Sequence, residues 1–302
     1  YAAVDPHGFR PMVVGIMPDG GYIVCSETAA LDAVGADFVR DVQPGELITI
    51  DDDGLHLDHF TTNTSLAVCS MEYIYFARPD SDIHGINVHQ ARVRMGERLA
   101  REQPADADIV VGVPNSSLSA AIGYAKASGI PYEMGLVKSQ YVARTFIQPT
   151  QALREKSVKM KLSVIKPVVA GKRIVLVDDS IVRGTQLRET TEFLYESGAK
   201  EVHIRPACPP LLYGCKYLNF SRSKSEMDLI TRRVIQKREG TVTEAVLEDY
   251  ANPDSHNYHE MLDEIGKQLN FTSLRYHRLD DMVASIGLEP CKVCTYCFDG
   301  KE

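Results

Sequence analysis

In a chain of 302 residues, 41 acidic and 33 basic side chains leave a formal charge of −8, which argues against nucleic acid as the principal partner, because backbone binding needs a concentrated positive face. No apolar run reaches the roughly 18 residues of a membrane span, and no basic-then-apolar leader is seen, so no membrane is expected and the cytoplasm is the expected compartment. Seven cysteines in such a chain argue against a complete disulfide framework and for thiols at a metal centre.

The chain opens on Tyr1, in YAAVDPHGFRP without an initiator Met, and is expected to be a fragment lacking its natural N-terminus. Residues 1–65 are rich in Val, Ile and Gly, with turn signals at Pro18-Asp19-Gly20-Gly21, Pro44-Gly45 and from Asp51 to Gly54. Short antiparallel strands are predicted there, such as Tyr22 to Cys25 and Leu47 to Ile50, with a helix over Thr28 to Val34. Cys25, inside a strand pattern, reads as a small buried hydrophobe. The stretch closes a sheet but hardly builds a domain alone, and a second domain is expected over residues 66–302, entered by an apolar strand from Cys69 to Phe76.

Helical spacing runs from Val88 to Leu99. A strand from Ile109 to Val113 leads into Pro114-Asn115-Ser116-Ser117 and a helix from Leu118 to Ser128 closed by Gly129. Read alone, Ser116 and Ser117 have the chemistry of ordinary helix N-caps. Residues 138–162 carry Lys138, Arg144, Arg154, Lys156, Lys159 and Lys161 around Pro149. Such a segment is either a solvated basic loop or a lid whose cations close over an anion and exclude water.

Ile174 to Val177 form an unbroken apolar run, the mark of a parallel strand covered on both faces, and the run stops at the adjacent carboxylates of Asp178 and Asp179. Ser180 to Thr185 follow, and then a helical face of Leu187, Thr191 and Leu194 ending at Gly198. Gly184 lets backbone N–H groups approach a ligand, the hydroxyls of Ser180 and Thr185 can donate, and the first helical turn favours an anion such as phosphate. Carboxylates beside a phosphate need something between, and a vicinal diol or a hydrated Mg²⁺ fills that gap. The loop fits a sugar phosphate; the same pattern also serves a plain strand-to-helix turn with an Asp or Ser N-cap. Paired strand–loop–helix segments imply a parallel α/β sheet with its ligand at the carboxyl ends of the strands.

Val202 to Ile204 is the next predicted strand. Residues 219–259 are heavily charged and hold a predicted helix from Ser225 to Lys237, and helices are predicted again over Glu260 to Leu269 and Leu279 to Ile286. His256 and His259 lack partners in a polar setting and read as surface histidines. Cys291, Cys294 and Cys297 follow a C-x₂-C-x₂-C spacing that can turn thiolates inward, but the fourth Cys followed by Pro that a bacterial ferredoxin pattern wants is not supplied after Cys297, so other ligands must come from far away in sequence.

VLVDDSIVRGT, ending at Thr185, resembles the phosphoribosyl pyrophosphate (PRPP) motif of type I phosphoribosyltransferases. With KSQYVARTFIQPTQALREKSVKMKL at 138–162 and CSMEYIYFARPDS at 69–81, the chain is closely similar to the glutamine PRPP amidotransferases over nearly its whole length. The resemblance implies a type I phosphoribosyltransferase parallel sheet with flanking helices over 66–302. It also implies, from DPHGFRP and SETAALDAVGADFVRDVQPGE, that residues 1–65 are the last part of an α+β glutaminase domain of the N-terminal-nucleophile class. In that class a Cys at the mature N-terminus uses its own α-amino group as base; with Tyr1 at position 1, the glutamine site is expected upstream.

The implied activity is that of an amidophosphoribosyltransferase, a glycosyltransferase forming 5-phosphoribosylamine and pyrophosphate from PRPP and glutamine-derived ammonia at the first committed step of purine synthesis. By the same resemblance, Asp178 and Asp179 hold the ribose hydroxyls and, with Ser116, ligate Mg²⁺. Asn115, Ser116 and Ser117 form the pyrophosphate loop. Ser180, Ile181, Val182, Arg183, Gly184 and Thr185 cradle the terminal phosphate, and Lys138, Tyr141 and Arg144 match lid positions. The family more often has an Asn-Arg pair and a Gly where this chain has Ser139, Gln140 and Ala143, and a second Thr at Gln186. In its iron–sulfur branch the matching Cys69, Cys215, Cys291 and Cys294 bind a 4Fe–4S cluster, for which Zn²⁺ is the alternative; Cys297 is then spare and Cys208 a core or loop thiol. Inhibitory purine nucleotides and a homo-oligomer are also implied, and residues 238–256 look like an insertion. Competing readings are a salvage-type phosphoribosyltransferase and a non-catalytic PRPP- or nucleotide-sensing regulator.

Overall fold

The computed structural model describes residues 1–139, 162–218 and 225–301. The chain divides into a unit of Tyr1–Arg94 with Val283–Thr295 and a unit of Met95–Met282 with Tyr296–Lys301.

In the first unit, β-branched segments separated by Gly- and Pro-containing turns give antiparallel sheets. Its opening elements are β1 (Ala2–Ala3), β2 (Val13–Ile16), β3 (Tyr22–Cys25), α1 (Thr28–Val34), β4 (Asp37–Asp41), β5 (Glu46–Asp51) and β6 (Gly54–His59). One sheet has the order β3-β2-β4 and the other β1-β5-β6. The Pro18-Asp19-Gly20-Gly21 turn brings Val14 opposite Val24 and Gly15 opposite Ile23. The helix α1 buries Ala29 and Leu31 and ends at Gly35, whose left-handed φ of 72° a side chain would disfavour.

The predicted strand over Cys69 to Phe76 is corrected. Only β7 (Val68–Cys69) is extended, and Glu72–Phe76 close a π-helical turn. The buried guanidinium of Arg92 donates to the carbonyls of Tyr73 at 2.7 Å and Ala77 at 2.8 Å, giving that turn partners outside any ladder. A short apolar run has no period that separates strand from helix, which is why composition misread it. The short hairpin of β8 (Asp82–Ile83) and β9 (Ile86–Asn87) follows, and then α2 (Val88–Glu102).

The second unit is built on parallel strands. Its elements are β10 (Ile109–Gly112), α3 (Leu118–Ser128), β11 (Leu136–Lys138), β12 (Leu162–Val164), α4 (Lys166–Val169), β13 (Arg173–Asp178), α5 (Thr185–Glu196) and β14 (Glu201–Pro206). Then come α6 (Ile230–Glu239), α7 (Glu244–Ala251), α8 (His256–Gln268) and β15 (Ser273–Leu274). The sheet order is β10-β13-β14-β15, and each of these pairings is parallel. Ile174 and Leu176 point into a core with Ile204, Val234 and Leu262, while Val175 and Val177 point the other way, against Leu99, Ala121 and Tyr124. Both faces of β13 are thus covered, which is why its sequence does not alternate. Ile174, Val175, Leu176 and Val177 are each 0% exposed and each contributes roughly 1.5–3 kcal/mol of transfer free energy.

The charged stretch after β14 is more helical than its sequence predicted. The single helix expected from Ser225 to Lys237 is a 3₁₀ turn, Glu226–Asp228, followed by α6. The residues read as an insertion hold α7, capped by Thr243 accepting from Val246 N, and α8 starts earlier than Glu260 because Ser255 accepts from Tyr258 N. The remaining elements are α9 (Leu279–Ile286), β16 (Val293–Cys294) and α10 (Tyr296–Asp299). Within the first unit, β16 pairs parallel to β7 and sets Cys294 opposite Cys69.

Candidate active site

The site forms where β10 and β13 end side by side, with Gly112 opposite Val177. Asp178 closes β13, and Asp179 follows it 9% exposed. Past the end of β10, the loop Pro114-Asn115-Ser116-Ser117 carries a cis Pro114–Asn115 peptide and delivers α3. Ser117 stands at the N-cap position of α3 yet makes no side-chain cap bond. Its hydroxyl instead donates to Asp178 Oδ1 at 3.1 Å, and the Ser116 hydroxyl donates to Asp179 Oδ2. In the structure both serines bond to the acidic pair, and α3 has no side-chain cap.

The carboxylates are held from their own side as well. Asp178 Oδ1 accepts from Asp179 N at 2.9 Å, and Asp179 Oδ1 accepts from the Ser180 hydroxyl at 2.7 Å. Asp178 as a residue keeps some surface, but its carboxyl group is enclosed. Burial first, and the neighbouring charge of Asp179 second, push the Asp178 carboxyl well above the usual carboxylate range, against the Asp179 N–H and Ser117 hydroxyl that favour its ionised form. Beneath the pair, Ala207 N donates to the Asp178 carbonyl at 2.8 Å. The next residue, Cys208, is fully buried, and burial and then both aspartates drive its thiol pKa up. Of the core or loop position expected for this thiol, the structure gives it the core, where a buried thiol is unreactive.

From Ser180 the chain turns through buried Ile181 and Gly184 into α5, while Arg183 and Thr185 are exposed. Gly184 has φ 79°, and no side chain caps the helix that starts after it. The first-turn amides of α5 therefore have no capping side chain, as an anion site requires. The loop is buttressed by residues that no local motif marked. Ile230 N donates to the Val182 carbonyl at 2.9 Å, Arg233 Nη2 to the Arg183 carbonyl at 2.9 Å, and the Arg183 guanidinium pairs with Asp228 at 3.0 Å. Nothing in the spacing of 225–237 signalled this duty, since it depends on where α6 packs.

Lys138 is exposed at the end of β11, whose antiparallel pairing with β12 sets Lys138 opposite Leu162. The other lid candidates, Tyr141 and Arg144, lie outside the described residues. Asn115 is exposed beside the serines. Among the cluster candidates, Cys69 and Cys294 are register partners and Cys291 lies in the adjoining 3₁₀ turn, whereas Cys215 belongs to the other unit. Among the described residues, no group of three or more His, Cys, Asp or Glu side chains is arranged to hold a metal ion. His256 and His259 are exposed, as expected.

A buried acidic pair at the carboxyl end of a parallel strand, a hydroxyl-bearing loop beside it and an uncapped helix start are an arrangement that suits a sugar phosphate. Residues 85–208 match the phosphoribosyl transferase domain family, a span that includes all of these elements. Over 99% of its length the chain is 46% identical to the amidophosphoribosyltransferase of Bacillus subtilis, of which it covers 58%. Over 96% it is 49% identical to that of Staphylococcus aureus, of which it covers 53%. The solved glutamine PRPP amidotransferase of B. subtilis, complexed with ADP and GMP, matches with a TM-score of 0.81 at 45% identity, covering 99% of this chain and 60% of that one. A solved allosteric regulatory enzyme of purine biosynthesis matches with a TM-score of 0.82 at 45% identity, over 99% and 59%. The phosphoribosyl transferase match is thus confined to residues 85–208, and the chain is similar over nearly its full length to amidophosphoribosyltransferases, while spanning little more than half of the curated relatives it matches. The expected fold, a parallel α/β sheet of the phosphoribosyltransferase type, is borne out.

Proposed function

We propose that this chain is the phosphoribosyl-transferring part of an amidophosphoribosyltransferase that converts PRPP and ammonia to 5-phosphoribosylamine and pyrophosphate. The observation that carries the reading is the Asp178–Asp179 pair, enclosed and tied to Ser116 and Ser117 across the ends of adjacent parallel strands. In the reaction the anomeric C–O bond to pyrophosphate breaks and a C–N bond to ammonia forms, the nitrogen then giving up a proton to solvent. Cationic charge develops on the sugar as pyrophosphate leaves, so the site must hold both ends of the substrate and stabilise the separating charges.

Asp178 and Asp179 accept hydrogen bonds from the vicinal ribose hydroxyls, and Ser180 to Thr185 with the first turn of α5 receive the terminal phosphate. Ser116, Ser117 and Asn115 face the pyrophosphate, and Lys138 with Tyr141 and Arg144 closes over it and excludes water. The enclosed carboxylates and serine hydroxyls are hard oxygen donors whose crowding a divalent cation relieves, so Ser116, Asp178 and Asp179 fit Mg²⁺, which when bound neutralises the departing phosphates. Thiols at Cys69, Cys215, Cys291 and Cys294 would hold a 4Fe–4S cluster, or Zn²⁺, in a structural role; the pairing of Cys69 with Cys294 supports this. Residues 1–65 are read as the end of a glutaminase domain that supplies ammonia from glutamine. Purine nucleotides are proposed as inhibitors, since a similar enzyme was solved with ADP and GMP. A cytoplasmic homo-oligomer is proposed as the working form.

Ammonium-dependent release of pyrophosphate from PRPP with Mg²⁺, compared between the chain and Asp179→Asn, tests the reading. Turnover lost in the variant supports it. Tight PRPP binding without turnover in the parent indicates a sensor, and PRPP consumption that needs a nucleobase indicates a salvage enzyme. Iron and sulfide analysis of anaerobically purified protein separates the cluster from zinc.

A further inference from the structure

The loop from Ser180 to Thr185 is fastened to the start of α6 through its backbone carbonyls. Ile230 N donates to the Val182 carbonyl at 2.9 Å, and Arg233 Nη2 donates to the next one, that of Arg183, also at 2.9 Å. Arg233 spans the 3₁₀ turn as well, its Nη1 donating to the carbonyls of Met227 and Asp228, each at 3.2 Å. One guanidinium therefore ties three carbonyls together, which its rigid fork of donors allows and a compact ammonium does not. The Arg183 guanidinium returns the contact by meeting Asp228 at 3.0 Å, but those side chains are 59% and 37% exposed, and such a pair stabilises little. The hold on the loop falls to Arg233 and the Ile230 amide.

That hold fixes a direction. A trans peptide is planar, so its N–H points opposite to its C=O, and the peptides joining Val182, Arg183 and Gly184 are trans. With both carbonyls drawn to α6, the N–H groups of Arg183 and Gly184 point away from it. Neither has a hydrogen-bond acceptor among the described residues. Successive N–H groups aimed to one side form an anion-binding concavity, here adjoining the uncapped first turn of α5.

The residues of the loop leave this direction open. Gly184, at φ 79°, has no Cβ to obstruct a turning-over of the Arg183–Gly184 peptide, a motion that alters only ψ of Arg183 and φ of Gly184. The donor that settles it comes from 50 residues away.

We infer that Arg233 is a positioning residue for the terminal phosphate: by holding the Arg183 carbonyl against α6 it aims the Gly184 N–H at the anion, without touching the substrate itself. The inference rests on the proposed role of Ser180 to Thr185 as the loop that receives this phosphate.

Ribose 5-phosphate, titrated into the whole chain with its glycines isotope-labelled on nitrogen, reads affinity and the Gly184 amide together by nuclear magnetic resonance. In the parent the Gly184 amide proton is expected to move downfield as the phosphate accepts from it. In Arg233→Ala the dissociation constant should rise about tenfold, the size of one lost charge-assisted hydrogen bond, and the downfield movement at saturation should shrink. Arg233→Lys keeps the charge but not the fork and should behave as Arg233→Ala does. The ratio of parent to variant affinity should hold in high salt, where a long-range charge effect is screened. Circular dichroism verifies the fold of each variant. No binding by the parent would overturn the phosphate-loop reading and the inference with it. Binding without movement of the Gly184 amide, parent-like affinity and movement in Arg233→Ala, full retention in Arg233→Lys or a ratio that collapses in salt would each overturn the inference alone.

Discussion

Replacing Gly184 by Ala tests whether the backbone of the phosphate loop, and not only its side chains, builds the site. Gly184 has φ 79°, and an added Cβ would lie 2.8 Å from Leu269 Cδ1 and 2.9 Å from Ile230 Cδ1. A left-handed conformation costs an alanine about 1–2 kcal/mol. Overpacking adds about 1–3 kcal/mol, toward the lower end here because the contacts are with the far ends of flexible side chains. The expected loss of stability is therefore about 2–4 kcal/mol. Urea denaturation followed by circular dichroism measures it, and Leu269→Ala with the double variant closes a thermodynamic cycle. In the Leu269→Ala background the methyl has more room, so the cost of Gly184→Ala should drop while the backbone share remains. PRPP, which stabilises whatever binds it by mass action, should protect the parent more than Gly184→Ala. A loss below about 0.5 kcal/mol, the range of an ordinary surface substitution, would refute the reasoning, as would a cost indifferent to Leu269.

The pH dependence of stability should show opposite limbs at separate carboxylates. Glu72, 1% exposed, is pushed up to about 7 by burial, which outweighs the opposing charge of Arg10. Its folded form favours the proton, so stability is full below the ordinary value of 4.5 and falls as pH rises toward 7. Glu72→Gln should flatten that limb and be more stable than the parent near about pH 8; an unchanged slope in urea titrations across this range counts against it. Asp108 is held down at about 2, chiefly by the hydrogen bond from Arg173. Its contribution is present above the ordinary 3.8 and lost as pH falls through 2, so Asp108→Asn should remove part of the acid limb, read as a smaller spread of melting temperatures between those pH values.

Much of the second unit could be read from the chain. The unbroken run Ile174 to Val177 declared a strand covered on both faces, and Gly129 and Gly198 marked where helices end. The acidic pair followed by Gly184 marked a strand-to-helix loop, because turn chemistry and apolar period are local properties. The π turn at Glu72 was not readable, since its carbonyls are satisfied by Arg92 from a later helix. Thr243 and Ser255 did carry cap signals for α7 and α8, but without an apolar period of the usual length around them they did not outweigh the surrounding charge.

By itself the sequence determined which residue types stand at the ends of β10 and β13, and that a glycine and hydroxyls open α5, since these follow from neighbouring residues along the chain. Only the tertiary structure decided what those groups bond. The parallel register of β10 on β13 brings Ser116 and Ser117 to carboxylates 63 and 61 residues away, and the packing of α6 supplies the groups that hold the loop. A polar side chain can bond whatever the fold sets within about 3 Å of it, and that choice is made by strand register and helix packing.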